Sequence, residues 1–282
     1  MAGASMKHIR TRIKSVESTM QITKAMELVA ISKLRRAKAR VENVRPFHEV
    51  LARAIVSMQA TIAESPCVFS QEREVKKTCY VVIGGDRGLA GGYHANLLRA
   101  VSVLTKGTQF CVLPIGKKVL EHFTRTGDER LGGDYQQAAG VSIADCTEIA
   151  KRLCDGFAAG DFDRVLVVYT QFKSMLSQLP VSETLLPLQL QPEGQPQFAG
   201  AIIEGDAEEL INSIVPQYVS GILYAALCEA SASEHGARRI AMDSANKNAG
   251  ELIDALVLKY NRARQAVITQ ELTEIVSAAQ AL

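Results

Sequence analysis

The glycines of IGGDRGLAGGYHANLL (83–98) are the residues whose spacing most invites chemistry. An apolar run, CYVVI (79–83), precedes them and a helical pattern follows. Strand, glycine turn and helix N-terminus together can hold a pyrophosphate, because glycine lets backbone N–H groups approach the anion and the helix end attracts it. The spacing argues against that use here. Gly84, Gly85, Gly88, Gly91 and Gly92 form neither G-x-G-x-x-G nor G-x-x-x-x-G-K-[ST]. The loop has no Lys for a phosphate and no Ser or Thr for Mg²⁺, and Asp86 would repel an anion. A tight strand-to-helix turn, with glycine where φ is positive, is the better reading.

Other chemistry is thin. The five histidines (8, 48, 94, 122, 235) are scattered, and no G-x-S-x-G, H-E-x-x-H or aspartate pair occurs. His94, beside Tyr93, reads as a helix-start residue rather than a base. The six cysteines (67, 79, 111, 146, 154, 228) form no C-x-x-C, and no His pair completes zinc spacing. Cys79 and Cys111 lie in apolar runs, where a reduced thiol acts as a small hydrophobe, so a reducing compartment is expected. No secretory signal and no membrane-spanning apolar run is read from the sequence.

The elements that must position these residues fall into three segments. The 282 residues are 47% hydrophobic but only 5% aromatic, a mixture suited to long helices in close contact. Over 6–62, Ile9, Ile13, Val16 and Met20 recur at helical spacing, and the seam continues through Thr23 to Met26, Ala30, Leu34, Ala37, Val41 and Val44. Pro46 is expected to kink or break it. Such a helix would span roughly 80 Å at about 1.5 Å per residue. Over 76–200 the pattern alternates: strands at 79–83, 109–116 and 164–172, helices at 89–104, 117–126 and 141–157, and an extended edge element at 178–188. That alternation predicts an α/β layer with a mostly parallel, Rossmann-like sheet. From 207 helix returns, with Pro216 expected in a first turn or at a kink. One stripe holds Leu252, Leu256, Tyr260, Ala263 and Val267; an adjacent one holds Ile268, Leu272, Ile275, Ala279 and Leu282. The domain boundaries read as 1–75, 76–200 and 201–282. Two terminal helices longer than the domain between them can bury their stripes by pairing as an antiparallel coiled coil.

Two surfaces stand out. Between Lys7 and Arg45, eleven Lys and Arg face three Glu, so this stretch carries +8 in a chain of net charge +2. Nucleic-acid binding, a solvated coiled-coil face and steering along an acidic protein partner all fit that excess. On the last helix, Ser244, Asn246, Asn248, Asn261, Gln265, Thr269 and Gln270 stand where Lys and Glu would ordinarily be. Asn and Thr cost helix propensity, so either specific contacts or simple tolerance keeps them there.

RIKSVESTMQITKAMELVAISKLRRA (12–37), DRGLAGGYHAN (86–96) and SEHGARRIAMDSANKNAGELIDALVLKYNRARQAVITQELTEIVSAA (233–279) together resemble the gamma subunit of F-type ATP synthases, over essentially the whole chain and in family order. Where that family often has SSDRGLCGG, this chain has Gly84, Gly85 and Ala90. Where it often has YxYEP, this chain keeps Glu204 but has Ala201 and Ile203 at the aromatic positions. The resemblance implies a central stalk turning inside three alpha and three beta subunits. It implies a foot on the c ring beside the epsilon subunit, peripheral to the cytoplasmic face of a bacterial plasma membrane. It also implies no membrane insertion, nucleic acid, cofactor, metal, catalysis or thiol control in this chain. Lys24, Met26, Arg238, Arg264, Gln265, Thr269 and Glu271 match positions facing the beta subunits, and Glu204 matches the foot. Two other classes remain open on the residues alone: a dinucleotide-dependent enzyme and a basic coiled-coil binder of nucleic acid.

Overall fold

A computed structural model describes residues 2–57, 67–71, 73–132, 135–188 and 207–280. Glu204 lies outside the described residues. The elements in chain order are α1 (Ala2–Ser57), β1 (Lys77–Ile83), α2 (Tyr93–Leu104), β2 (Gln109–Ile115), α3 (Lys117–Thr126), a 3-10 turn (Ala138–Gly140), α4 (Ile143–Ala159), β3 (Arg164–Phe172), β4 (Gln178–Leu186) and α5 (Ala207–Gln280). The fold is α/β, with long terminal helices paired antiparallel and a central sheet domain.

The sheet order is β2-β1-β3-β4. β1 pairs in parallel with β2 and β3, and β4 closes the edge antiparallel to β3. Strand alternation sends successive residues to opposite faces. Cys79, Val81 and Ile83 therefore pack with Cys111, Leu113, Val165 and Val167 against α4 and the first part of α5. Tyr80, Val82, Val112 and Val168 pack on the other face with Leu97 and Val101 of α2 and Val119 and Phe123 of α3. Local signals fix the helix ends. Ser142 and Asp145 form a capping box at the start of α4, and Gly160, at φ 80°, ends it.

The chain divides into two compact units, Met1–Ala30 with Arg239–Leu282 and Ile31–Arg238. In the first, Ile9, Ile13, Val16 and Met20 of α1 are half-buried, as are Ile253, Tyr260, Ala263 and Val267 of α5, and Leu256 is buried. The seam on α5 thus runs through Ile253; Leu252 is 40% exposed. In the second unit Leu34 and Ala37 pack on Ala232, while Val41 lies beside Ala225, Ala226 and Glu229. Advancing along α1 therefore goes backwards along α5.

Neither proline ends its helix. α1 continues through Pro46, and Pro216 is internal to α5 rather than in its first turn. Around Pro216, Ile211, Val215 and Val219 are each at most 1% exposed. Burying each of them is worth about 1.5–3 kcal/mol, which outweighs the roughly 3 kcal/mol a proline costs inside a helix. A window of α5 is also long and apolar enough to cross a membrane by length and composition, contrary to the sequence reading, but 56% of it is buried inside the chain. Ile211, Val215, Val219, Ile222 and Leu223 of this helix belong to the sheet's own core.

Candidate functional site

The glycine loop leaves β1 at Ile83 and enters α2 at Tyr93. Its glycines make room for neighbours rather than for a ligand. A Cβ on Gly84 would stand 2.1 Å from Val119 Cγ2, and one on Gly85 would stand 2.5 Å from the Glu234 carboxyl carbon. Gly91 takes φ 57°, and Leu89 takes φ 61° with its side chain exposed. Asp86 acts as the loop's own anion. Its carboxylate accepts the backbone N–H of Lys117 at 3.3 Å, Ala138 at 2.8 Å and Ala139 at 3.4 Å. The first N–H of α3, a donor that an anion beside the loop could otherwise have used, is thereby taken.

Arg238 of α5 fastens the same loop from the other side. Its Nη2 donates to Arg87 O at 2.9 Å and to Glu234 Oε1 at 2.5 Å, and its Nε donates to Gly88 O at 3.3 Å. Its Nη1 lies 3.1 Å from His235 Nδ1. A guanidinium carries only donors, so His235 accepts there and is the neutral imidazole protonated on Nε2. Burial lowers its pKa first; Arg238 and Lys33 add to this, while Glu234 opposes it. Tyr93 donates its hydroxyl to Ala230 O at 3.1 Å, and burial pushes this phenol far above its ordinary value. Arg238 is 8% exposed, so its charge serves the chain's own loop.

Beside the loop lies a cavity of about 440 Å³, lined among others by Lys33, Arg87, Lys117, Glu234 and His235. Among the described residues no cluster of three His, Cys, Asp or Glu is placed to hold a metal ion. His94 sits in the first turn of α2, its Nε2 3.0 Å from Arg87 O. Burial pushes the Cys146 and Cys154 thiols up to about 12.

The remaining candidates lie on the surface of the first unit. Lys24 is exposed and Met26 half-buried on α1. Arg264, Gln265, Thr269 and Glu271 are exposed on α5, within two turns of one another. Thr269 donates its hydroxyl to Gln265 O at 3.0 Å, and Gln270 donates to Glu274 at 2.9 Å. Among the described residues Arg264 and Glu271 make no ion pair. Interleaved with them are exposed apolar side chains: Ile268 at 46%, Leu272 at 58%, Ile275 at 65% and Val276 at 54%. Helix surface this apolar, carrying directional polar groups, is built to be covered.

Comparisons with known proteins give the family of the chain. The chain matches the ATP synthase family over residues 5–282. It is 44% identical to the ATP synthase gamma chain of Ruminococcus albus, over 98% of each chain. The chain belongs to the ATP synthase gamma chain family. Among solved structures it is similar to a chain of the Tetrahymena thermophila mitochondrial ATP synthase central stalk and c ring. That likeness has 25% identity and a TM-score of 0.61, over 79% of this chain and 99% of that one. A chain of the Euglena gracilis mitochondrial ATP synthase shares the fold at a TM-score of 0.72 and 19% identity, over 99% of this chain and 95% of that one. As a gamma chain it is the central-stalk, rotor subunit of an F-type ATP synthase, coupling ion flow to ATP synthesis and hydrolysis.

Sequence reading missed Glu234 and His235, and the bonds between Asn246 and α1. The four-residue spacing of Glu234 and Arg238 is the signal that would have exposed the first. Asn246 sits within the apolar pattern, which is the signal for the second.

Proposed function

We propose that the surface of α5 around Arg264, Gln265, Thr269 and Glu271, with Lys24 and Met26 of α1, is where the rotor presses on three beta subunits in turn, inside a sleeve shared with three alpha subunits. The observation that carries this is the exposure of Ile268, Leu272, Ile275 and Val276 among those polar residues, a mixture no part of the chain itself covers among the described residues. Arg238 contributes by holding the 84–92 loop in place. In this reading residues 1–75 and 201–282 supply the shaft and 76–200 the globular foot. Glu204 faces the c ring, with the epsilon subunit alongside, and the complex lies at the cytoplasmic face of a bacterial plasma membrane. The chain transmits torque, and nucleotide chemistry belongs to the alpha and beta subunits.

The test is site-directed cross-linking in the purified membrane complex. A photoreactive side chain at Thr269 is expected to attach to alpha or beta subunits, and one at Glu204 to the c ring. Recovery of Thr269 adducts exclusively with membrane-sector subunits would overturn the assignment of this surface.

A further inference from the structure

The contact face of α1 and α5 carries a polar side chain where an apolar one would pack. Asn246 of α5 is half-buried and bridges two half-buried residues of α1. Its Oδ1 accepts the Thr23 hydroxyl, whose other acceptors, the carbonyls of Met20 and Thr19, lie farther off at 3.0 and 3.2 Å. Its Nδ2 donates to Glu27 Oε2 at 2.9 Å. Both ends of one amide are therefore used, and by residues four apart, one turn of α1.

The neighbours of this bridge specify little. Met20 and Met26 are unbranched and adaptable. Ala249 and Gly250 are small and half-buried, and a Cβ added at Gly250 would meet nothing within 4 Å. Within the unit formed by residues 1–30 and 239–282, a one-heptad slip of α1 would preserve such packing. It would not preserve the bridge. Seven residues before Thr23 and Glu27 stand Val16 and Met20, and seven after stand Ala30 and Leu34. All four are apolar, so in either shifted register the Asn246 amide would lose both partners. A buried polar residue that is satisfied in one alignment alone selects that alignment at some cost in stability.

We propose that Asn246 is the positioning residue that fixes the axial register of the two shaft helices, and through it the coupling of rotation to ion transport. The register decides which residues of α1 stand level with which of α5. Lys24 follows Thr23, and the Asp243–Lys247 pair, joined at 2.9 Å, flanks Asn246. A fixed register presents these charges to the sleeve as one surface that advances as a body; a shifted one presents them at two heights. The coupling half of this proposal rests on the rotor reading; the register half does not.

The experiment uses the assembled complex, with spin labels at the exposed positions Lys14 and Asn248 and distances from double electron–electron resonance. The unsubstituted seam is expected to give a single distance. Asn246→Leu should keep normal subunit content, because Thr23 retains its bonds to the carbonyls of Met20 and Thr19 and the half-buried Glu27 can reach water, yet show a second population offset by one heptad, about 10 Å along the axis. ATP-driven ion pumping per ATP hydrolysed should fall at least twofold. Exchanging the partners, Thr23→Asn with Asn246→Thr, returns an amide–hydroxyl pair and should restore both readings. A single unshifted distance in Asn246→Leu overturns the proposal, as does a second distance with an unaltered pumping ratio. Loss of pumping by the unsubstituted complex would strike the rotor reading instead, and the distances would still decide the register.

Discussion

Arg238 supplies the loop with donors for its carbonyl oxygens, as Asp86 supplies the acceptor for the neighbouring N–H groups. Its guanidinium reaches carbonyl oxygens of Arg87 and Gly88 while its charge is balanced by Glu234, and both side chains are close to nine-tenths buried. Removing one member of such a pair strands the other and costs about 3–5 kcal/mol. Arg238→Ala is therefore expected to raise amide exchange at 87–93 by at least roughly a hundredfold in the assembled complex, since every 1.4 kcal/mol is tenfold. Arg238→Lys keeps the charge but loses the fork, and should fall between the two. Unchanged protection in Arg238→Ala would mean the loop holds itself. His235 adds a dependence on pH. Its folded pKa lies below the ordinary value of about 6.5. The unfolded imidazole then binds a proton that the folded one refuses, so the stability it contributes is present above about pH 6.5 and is lost as pH falls toward the folded value. Protection of the loop, corrected for the intrinsic pH dependence of exchange, should drop between pH 7 and 5, and His235→Gln should flatten that drop. An identical slope in the variant would remove His235 from the argument.

At the scale of elements, glycines that look alike in the sequence differ in what they hold. Gly116 starts α3 at φ 99°, and a Cβ there would stand 2.7 Å from Gly84 O, a backbone atom that cannot turn aside. Gly88 has open space around it. Gly116→Ala is expected to cost about 2–5 kcal/mol, from backbone strain and overpacking together, and Gly88→Ala no more than about 0.5 kcal/mol. Thermal inactivation of the two variant complexes would check this, and equal losses would count against it. The same contrast explains what could be read in advance. β3 and α3 were predicted to the residue, because periodicity and flanking turn residues agreed. The start of α2 was placed four residues early, because Leu89 is apolar but takes a left-handed turn conformation that no periodicity reveals. Pro46 and Pro216 lie inside continuous helices, and at Pro216 the buried neighbours Ile211, Val215 and Val219 outweigh local preference. The role of Arg238 was invisible for a related reason. It depends on a contact 150 residues away in sequence, with Gly88.

At the scale of the whole molecule, pairing of the two chain ends was legible because the apolar spacing persists at both termini and had no other partner of sufficient length. What the surface of the pair does follows from how a rotor must behave. In the proposed reading the shaft meets three copies of one subunit in each turn and cannot hold any of them tightly, so coupling has to rest on contacts that form and break. The α5 surface fits that requirement. Ile268, Leu272, Ile275 and Val276 give non-directional contact that tolerates sliding, and burying each would contribute about 1.5–3 kcal/mol to assembly. Arg264, Gln265, Thr269 and Glu271 add direction, at about 0.5–3 kcal/mol per hydrogen bond. Arg264→Glu reverses one charge and leaves the apolar contact whole, so the complex is expected to assemble with normal subunit content. The lesion should appear in turnover. A contact of about 0.5–1.4 kcal/mol corresponds to a roughly two- to tenfold loss of ATP-driven ion pumping, and pumping should fall at least as far as hydrolysis. Both rates, measured on membranes matched for subunit content, decide the matter: two unchanged rates would show that torque passes through the apolar surface alone.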